Sequence, residues 1–128
     1  MPQDYQELKI WQQGMALVKT IYQDTADFPK TEIFGLTNQL RRACISIPSN
    51  IAEGFGRASR PEFLQYLIQA RGSLLEVETQ LLIAHSLGYI SDAKKKGLIE
   101  NTLHLKKSLN AFIQAVRKQT GSRSKSTE

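Results

Sequence analysis

The chain has 128 residues, a length typical of one domain, and its single cysteine, Cys44, excludes an intrachain disulfide and a cysteine-based metal site. Residues 1–90 carry 8 basic and 9 acidic side chains, whereas residues 91–128 carry 9 basic and 3 acidic ones. The formal net charge of +5 therefore originates in the last third, which favours either a polyanion-binding surface or a solvated helix face.

The segment at the start of the chain lacks the basic residues and apolar core of a signal peptide. No apolar run approaches the roughly 20 residues that a membrane span needs. Together with the single thiol, these features predict a cytoplasmic protein without a membrane partner.

The first predicted helix runs from about Tyr5 to Asp27 and is stopped by Pro29, which lacks an N–H donor. Steps of 4 and 3 predict that its buried seam consists of Leu8, Trp11, Met15, Val18, Tyr22 and Thr25. The remaining large apolar residues of this helix, Ile10, Leu17 and Ile21, are expected to be exposed.

The second predicted helix begins between Thr31 and Leu36. Its apolar side is formed by Leu40, Ala43, Cys44, Ile47 and Ile51. Pro48 has no N–H group to donate to the Cys44 carbonyl, so a kink is predicted here. The side chain of Ser49 or Asn50 is expected to reach around this break in the helix. Gly54 and Gly56 permit either close approach of a neighbour or a left-handed helix end.

The third helix is predicted to begin after Ser59, which acts as its N-cap, and Glu62 is placed to complete a capping box. Its seam is predicted to comprise Phe63, Leu67, Ala70, Leu74, Val77, Leu81 and Ala84. A second apolar stripe runs beside it and contains Leu64, Ile68, Leu75 and Leu82. Because a bundle needs only one apolar stripe per helix, the surplus predicts self-association.

The fourth helix follows a tight turn, with Gly88 as the left-handed C-cap of the third helix and Ser91 as the new N-cap. Its predicted seam contains Leu98, Thr102, Leu105, Leu109, Phe112 and Val116. The predicted fold is an all-α, antiparallel, up-down-up-down four-helix bundle. Residues 1–119 form the bundle domain, and residues 120–128 are expected to be a disordered basic tail.

Catalytic chemistry finds little support in this sequence. His85 and His104 are the only histidines, and the Glu-x-x-His pairs of a di-iron bundle are absent. Glu100 and His104 share a helix face, but one such pair makes a weak metal site. Cys44 lies on an apolar face and is expected to be packed rather than reactive. We therefore expect no enzyme activity and no cofactor.

A polar stripe follows the second helix through Arg42, Ser46, Asn50, Glu53 and Arg57. If helices 2 and 3 are antiparallel, Arg42 lies level with Glu76 and Glu78, and Ser46 lies level with Arg71. Such residues either fix the register of the two helices, which we favour, or form a partly exposed polar groove.

Three sequence motifs resemble one known family. The stretch QLRRACISIPSNIAEGFGR, with FGLTNQ upstream and ARGSLLEVETQL downstream, is similar to the bacterial "four helix bundle protein" family. This family is also known as the 23S ribosomal RNA intervening-sequence proteins, or the S23 ribosomal protein family. The resemblance covers roughly Tyr5 to Lys118, and Cys44 stands where the family often has a small aliphatic residue.

The resemblance implies a fold, an assembly and a set of polar motif residues. It implies an antiparallel four-helix bundle that assembles into a homopentamer and has no enzyme activity. The fold is also similar to accessory proteins of diversity-generating retroelements, which associate with a reverse transcriptase and with nucleic acid. The motif residues, structural or groove-lining, are Arg41, Arg42, Ser46, Asn50, Glu53, Arg57, Arg71, Ser73, Glu76 and Glu78.

The sequence is compatible with two functions. The first is an oligomeric adaptor that binds RNA, or a nucleic-acid enzyme such as a reverse transcriptase, through basic surfaces. The expected nucleic-acid contacts are Lys94, Lys95, Lys96, Lys106, Lys107, Arg117, Lys118, Arg123 and Lys125. The alternative is a purely protein-binding scaffold that makes no nucleic-acid contact.

Overall fold

Four α-helices make up the architecture. The structure, a computed structural model, describes residues 2–127, with side chains described for residues 2–119. The helices are α1 Lys9–Asp24, α2 Leu36–Phe55, α3 Arg60–Ser86 and α4 Asp92–Thr127. Short 3₁₀ turns at Tyr5–Glu7 and Lys30–Glu32 precede α1 and α2. Residues 2–127 contain no strand, so the predicted all-α class is confirmed.

The helices form a square, up-down-up-down arrangement. Helix α1 packs against α2 and α4, and α3 packs against the same two helices, whereas in the described residues no Cα atoms of the diagonal pairs α1–α3 and α2–α4 approach within 8 Å. The Tyr89 hydroxyl donates a 2.9 Å hydrogen bond to Glu32 Oε2, which joins the α1–α2 loop to the α3–α4 turn at one end of the bundle. The predicted antiparallel bundle is therefore confirmed.

The core follows the predicted seams of α2, α3 and α4. The five apolar residues predicted for α2 are all buried. The predicted seam residues of α3 from Leu67 to Ala84 are buried as well. In α4 the predicted seam is also correct, with Phe112 half-buried and Ile113 as an additional fully buried residue. These helices each bury one continuous stripe, which is where most of the hydrophobic stabilisation arises.

The predicted seam of α1 is wrong within the helix itself, although Leu8 and Thr25 at its two ends are buried as predicted. Ile10, Leu17 and Ile21 are buried together with Gly14, whereas Met15 is 44% exposed and Tyr22 is 40% exposed. Helix α1 carries two apolar stripes at helical spacing, and a glycine in the buried stripe makes that stripe look weaker. Gly14 is buried because α1 approaches α2 closely there: a Cβ at Gly14 would lie 3.4 Å from two side-chain atoms of Pro48.

The ends of α1 also differ from the prediction. Asp4 accepts a hydrogen bond from the Gln6 amide, and Glu7 bonds back to the Asp4 amide, so this capping box starts a 3₁₀ turn rather than the α-helix. Leu8 then adopts extended angles, with φ −72° and ψ 126°, before α1 begins at Lys9. The helix ends at Asp24, several residues before Pro29, so the proline does not itself terminate it.

The predicted N-caps Ser59 and Ser91 and the C-cap Gly88 are confirmed, whereas Glu62 does not complete the predicted capping box, because its carboxylate accepts from the Ser59 hydroxyl rather than from the Ser59 amide. The Ser59 hydroxyl accepts from the Glu62 amide at 3.3 Å, and Ser91 Oγ accepts from the Lys94 amide at 3.1 Å. Gly88 has φ +80°, and its amide donates to the His85 carbonyl while the Tyr89 amide donates to Ala84. This is a Schellman ending, which explains why the α3–α4 turn is short.

The end of α4 lies beyond the predicted domain boundary. The backbone is helical as far as Thr127, and the predicted division of the chain at residue 119 stays a prediction. The side chains of residues 120–128 lie outside the described residues, so the basic tail stays a prediction. Across the described residues, no helix combines the length and apolar character needed to cross a bilayer.

Candidate interaction surfaces

Helix α2 passes through Pro48 without interruption. The Asn50 side chain donates a 2.8 Å hydrogen bond to the Ser46 carbonyl, so it does reach around the proline. Its acceptor belongs to Ser46, one turn before Asn50, rather than to Cys44. The predicted kink at Pro48 stays a prediction.

A hydroxyl pair fixes the register of α2 against α3. Ser46 Oγ lies 2.9 Å from Ser73 Oγ, and Asn50 Nδ2 donates to the same Ser46 oxygen at 2.9 Å. The three side chains are partly buried, so each bond excludes water from one flank of the α2–α3 interface. Ser46 does contact α3, but its partner is Ser73 rather than the predicted Arg71.

The predicted pairing of Arg42 with Glu76 or Glu78 is not formed. Glu78 accepts two hydrogen bonds from Lys106 Nζ on α4, at 2.8 and 2.9 Å, and a longer one of 3.4 Å from the Thr102 hydroxyl. Arg42 is exposed and has no ion pair with any described residue. Glu78 therefore links α3 to α4 instead of α3 to α2.

The direction of Arg71 explains this difference. Arg71 Nη1 donates to Asn110 Oδ1 on α4 at 3.2 Å, and Glu78 lies seven residues further along the same face of α3. Ser73 lies on the opposite flank, towards α2. The sequence predicts the correct level for these residues but the wrong flank of α3.

The far end of the α2 stripe contacts α3 through an arginine. Arg57 Nη2 lies 3.1 Å from Glu53 Oε1, donates to the Tyr66 hydroxyl, and its guanidinium lies 4.8 Å from the centre of the Tyr66 ring. Close packing at this end depends on Gly54, where a Cβ would lie 2.6 Å from Tyr66 Cβ. Of the alternatives for the two glycines, Gly54 provides close approach, and Gly56 at φ −79° is not left-handed.

Arg41 contacts α1 rather than the α2–α3 flank. Its Nε donates to Thr25 Oγ1 at 3.0 Å, and its guanidinium lies 4.5 Å from the centre of the Tyr22 ring. A cation held by an aromatic face and a buried hydroxyl stabilises the α1–α2 contact. Sequence reasoning missed this link, although the spacing of Tyr22 and Thr25 on one helix face is a usable signal for it.

The predicted nucleic-acid contacts divide into partnered and unpartnered side chains. Lys106 is occupied by Glu78, and Lys94 Nζ lies 3.8 Å from Asp27 Oδ2. Lys95 is half-buried. The exposed basic residues without a described ion pair are Lys96, Lys107, Arg117 and Lys118. Arg123 and Lys125 lie outside the residues with described side chains.

Three of these lysines form a line along α4. Lys96, Lys107 and Lys118 are separated by intervals of 11 residues, which correspond to about three helical turns. Each interval spans about 16 Å along the helix, and the accumulated rotation is small. Lys96, Lys107 and Lys118 are hereafter called the lysine line, which also passes the exposed Glu100.

Exposed apolar residues form two separate faces. The α3/α4 face comprises Ile68, Leu75, Leu82 and Leu103, which are 36%, 48%, 49% and 43% exposed. The α1/α2 face comprises the exposed Met15, Tyr22 and Ile45 with the half-buried Trp11 and Val18, and all of these except Tyr22 line a groove between those two helices. Because α1 and α2 occupy one side of the square and α3 and α4 the other, the two faces lie on opposite sides of the bundle.

Among the described residues, three titratable groups have shifted pKa values. Burial raises the pKa of the Cys44 thiol to about 12, so the thiol stays protonated and is a poor nucleophile at neutral pH. The hydrogen bond to Glu32 raises the pKa of Tyr89. The hydrogen bond between His85 Nε2 and Asp92, 2.6 Å long, lowers the pKa of Asp92. The described residues hold no cluster of three or more metal-ligating side chains.

Comparisons with known proteins identify the family. The model of the 23S rRNA-intervening sequence protein family matches residues 6–111 of this chain. The chain belongs to this family. A crystal structure of a protein with unknown function from the S23 ribosomal protein family of Bacteroides thetaiotaomicron VPI-5482 has a similar fold, with a TM-score of 0.73. The two chains are 21% identical, and the similarity covers 81% of this chain and 97% of the other. No curated protein matches the chain.

The polar motif of this 23S rRNA-intervening sequence protein is divided among three helix contacts. Arg41 joins α2 to α1, Ser46 and Ser73 join α2 to α3, and Glu78 joins α3 to α4. The motif residues therefore do not converge on one groove. Nothing in this arrangement or in the comparisons indicates catalytic activity.

Proposed function

We propose that this chain forms a closed homo-oligomeric ring, a homopentamer, which acts as a non-enzymatic adaptor. It binds RNA, alone or together with a nucleic-acid enzyme such as a reverse transcriptase, through the outer surface of α4. The observation that carries the RNA contact is the lysine line, whose three cations are exposed and have no described carboxylate partner.

The two apolar faces support assembly. A contact between two different faces on opposite sides of a protomer is heterologous, and heterologous contacts generate closed rings when the rotation between protomers closes. The α1/α2 face of one copy would cover the α3/α4 face of the next. The number five rests on the family resemblance.

The lysine line supports phosphate binding rather than base recognition. Lysine is a point charge that neutralises phosphates, and aromatic side chains are not interleaved with Lys96, Lys107 and Lys118. A ring repeats the line in every subunit, which increases the number of counterions released on binding. Affinity is therefore expected to depend on salt far more than on RNA sequence.

Fluorescence anisotropy with two unrelated single-stranded RNAs at two salt concentrations tests this proposal. We expect replacing all three lysines of the line by Gln to weaken binding at least about ten-fold and to make the salt dependence shallower. The matched control replaces the exposed Lys9, Lys19 and Lys30 by Gln, which removes the same charge elsewhere. Equal losses in both triple variants, or no binding at low salt by an intact oligomer, would contradict an RNA site on α4.

A protein-binding scaffold is the second candidate function. It is favoured by the partners of Lys94 and Lys106 and by Glu100 beside the lysine line, which reduce the positive potential of α4. In that case the basic surface is a solvated helix face, and RNA binding is absent at low salt.

A further inference from the structure

An apolar cavity lies at the end of the bundle where α2 turns into α3. Its walls include the rings of Phe55, Phe63 and Phe112, together with Leu8 and Val116. The ring centroids are 6.1 Å apart for Phe55 and Phe63, and 5.8 Å apart for Phe63 and Phe112, in edge-to-face arrangements. The lining of this phenylalanine cavity shares no residue with either apolar face defined above or with the lysine line.

The size of the phenylalanine cavity limits what it can hold. Its volume is about 120 Å³. Apolar cavities of about 150 Å³ lined by Leu, Ile and Phe hold one benzene ring. The phenylalanine cavity therefore fits one small ring or a short branched chain, with any polar substituent left outside the walls.

Among the residues with described side chains, one cation, Arg60, lines this cavity. Arg60 is the first residue of α3, and its guanidinium donates a hydrogen bond to the Gln119 side chain of α4. No described carboxylate pairs with Arg60. The nearby Glu62 carboxylate instead accepts a hydrogen bond from the Ser59 hydroxyl at 3.0 Å. Its remaining N–H groups therefore have no acceptor among the described residues.

The position of Arg60 on α3 also favours an anion. The N-terminal end of a helix carries partial positive charge, so acidic groups are stabilising there and a basic side chain is not. Arg60 adds a full positive charge to this end, beside an apolar wall that lowers the local dielectric. A bound carboxylate would interact with both.

We propose that the phenylalanine cavity binds a small aromatic or branched-chain carboxylic acid. The ring or chain occupies the space between the three phenylalanines, and the carboxylate accepts hydrogen bonds from Arg60. The proposal is independent of RNA binding, because neither Lys96 nor Lys107 contributes to the cavity.

Calorimetric titration of the full chain with phenylacetate, phenylacetamide and acetate tests the proposal. Phenylacetate carries both features, phenylacetamide has the ring without the charge, and acetate has the charge without the ring. We expect one phenylacetate per chain, bound at least about ten-fold more tightly than either of the other two. No saturable binding, or equal binding of phenylacetate and phenylacetamide, would overturn the proposal.

Matched variants locate the bound acid. Arg60→Gln should weaken phenylacetate binding about ten-fold and leave phenylacetamide unchanged, whereas Lys118→Gln should change neither. Ala115→Phe fills the cavity from an exposed lining position and should abolish both, while Ala111→Phe lies outside the cavity and serves as control. Circular dichroism establishes that each variant is folded, and unchanged binding in Ala115→Phe would place the ligand elsewhere.

Discussion

A single residue, Gly54, allows α2 and α3 to pack closely. A Cβ there would lie 2.6 Å from Tyr66 Cβ, 3.0 Å from Phe63 Cδ1 and 3.3 Å from the Phe63 carbonyl oxygen. Two of these atoms belong to the backbone or lie one bond from it, so they move only if α3 moves. A glycine is therefore required for this helix contact, whereas Gly97 on α4 has no heavy atom within 4 Å of its Cβ position.

We predict that Gly54→Ala lowers the free energy of unfolding by about 1–3 kcal/mol, because the added methyl overpacks the α2–α3 contact. The gain in helix propensity, about 1 kcal/mol at an unconstrained site, does not offset this clash. Gly97→Ala is the matched control and should stabilise the protein by up to about 1 kcal/mol. Urea unfolding measures both variants, and a stabilised Gly54→Ala protein would contradict the close contact.

Glu78 and Lys106 form the main ionic link between two elements, α3 and α4. Their side chains are 18% and 27% exposed, so the pair is partly withdrawn from water. The bond lies between Leu75 and Leu82 on α3 and beside Leu103 on α4, within the α3/α4 face. Covering this face in an oligomer would exclude further water from the pair.

We predict that Lys106→Met lowers the free energy of unfolding by about 1–3 kcal/mol, because it leaves a partly buried carboxylate without its cation. Methionine retains most of the apolar stem, so the change reports mainly on the charge. Lys107→Met, next in sequence and exposed, should stay within about 0.5 kcal/mol of the unmodified protein.

The same unfolding measurements test whether Arg42 holds α2 and α3 in register or is an unpaired surface residue. Arg42→Met should also stay within about 0.5 kcal/mol, because Arg42 is exposed and unpaired among the described residues. Thermal and urea unfolding would decide between them. A larger loss for Arg42→Met than for Lys106→Met would restore the α2–α3 pairing that the sequence predicts.

At the scale of the whole molecule, the opposite placement of two apolar faces determines how copies associate. If each contact joins an α1/α2 face to an α3/α4 face, every protomer uses both faces and a ring results. If instead like faces meet, each contact is symmetric and blocking one face leaves the other contact intact. Variants that block one face at a time separate these arrangements.

We predict that Met15→Glu and Leu75→Glu each give monomers by light scattering at micromolar concentration, whereas the unmodified chain is an oligomer. Mixing the two variants should give a dimer of one copy of each, since one α1/α2 face and one α3/α4 face remain intact. Phe34→Glu, at a 92% exposed loop position outside both faces, should leave the oligomer unchanged. A monomeric unmodified chain would remove the ring, and dimers formed by one variant alone would favour symmetric contacts.

The sequence by itself determined the four helices, the capping residues of α3 and α4, and three of the four seams. Ser59, Gly88 and Ser91 act on groups within a few residues of themselves, so local sequence predicts their roles. The seams of α2 and α4 follow from periodicity because each of those helices has one dominant apolar stripe, and in α3 the predicted stripe is the buried one although a second apolar stripe runs beside it. The family was also evident from the sequence, since its motifs are long and contiguous.

Only the tertiary structure decided which flank of each helix meets which neighbour. Helix α1 has two apolar stripes, and the close approach of Gly14 to Pro48 decides that the Ile10–Ile21 stripe is buried. Glu78 lies at the level of Arg42, yet it bonds to Lys106 because its flank of α3 faces α4. Periodicity gives the rotation of residues relative to one another within a helix, but packing against the other three helices sets the absolute rotation, and with it the partner of each charge.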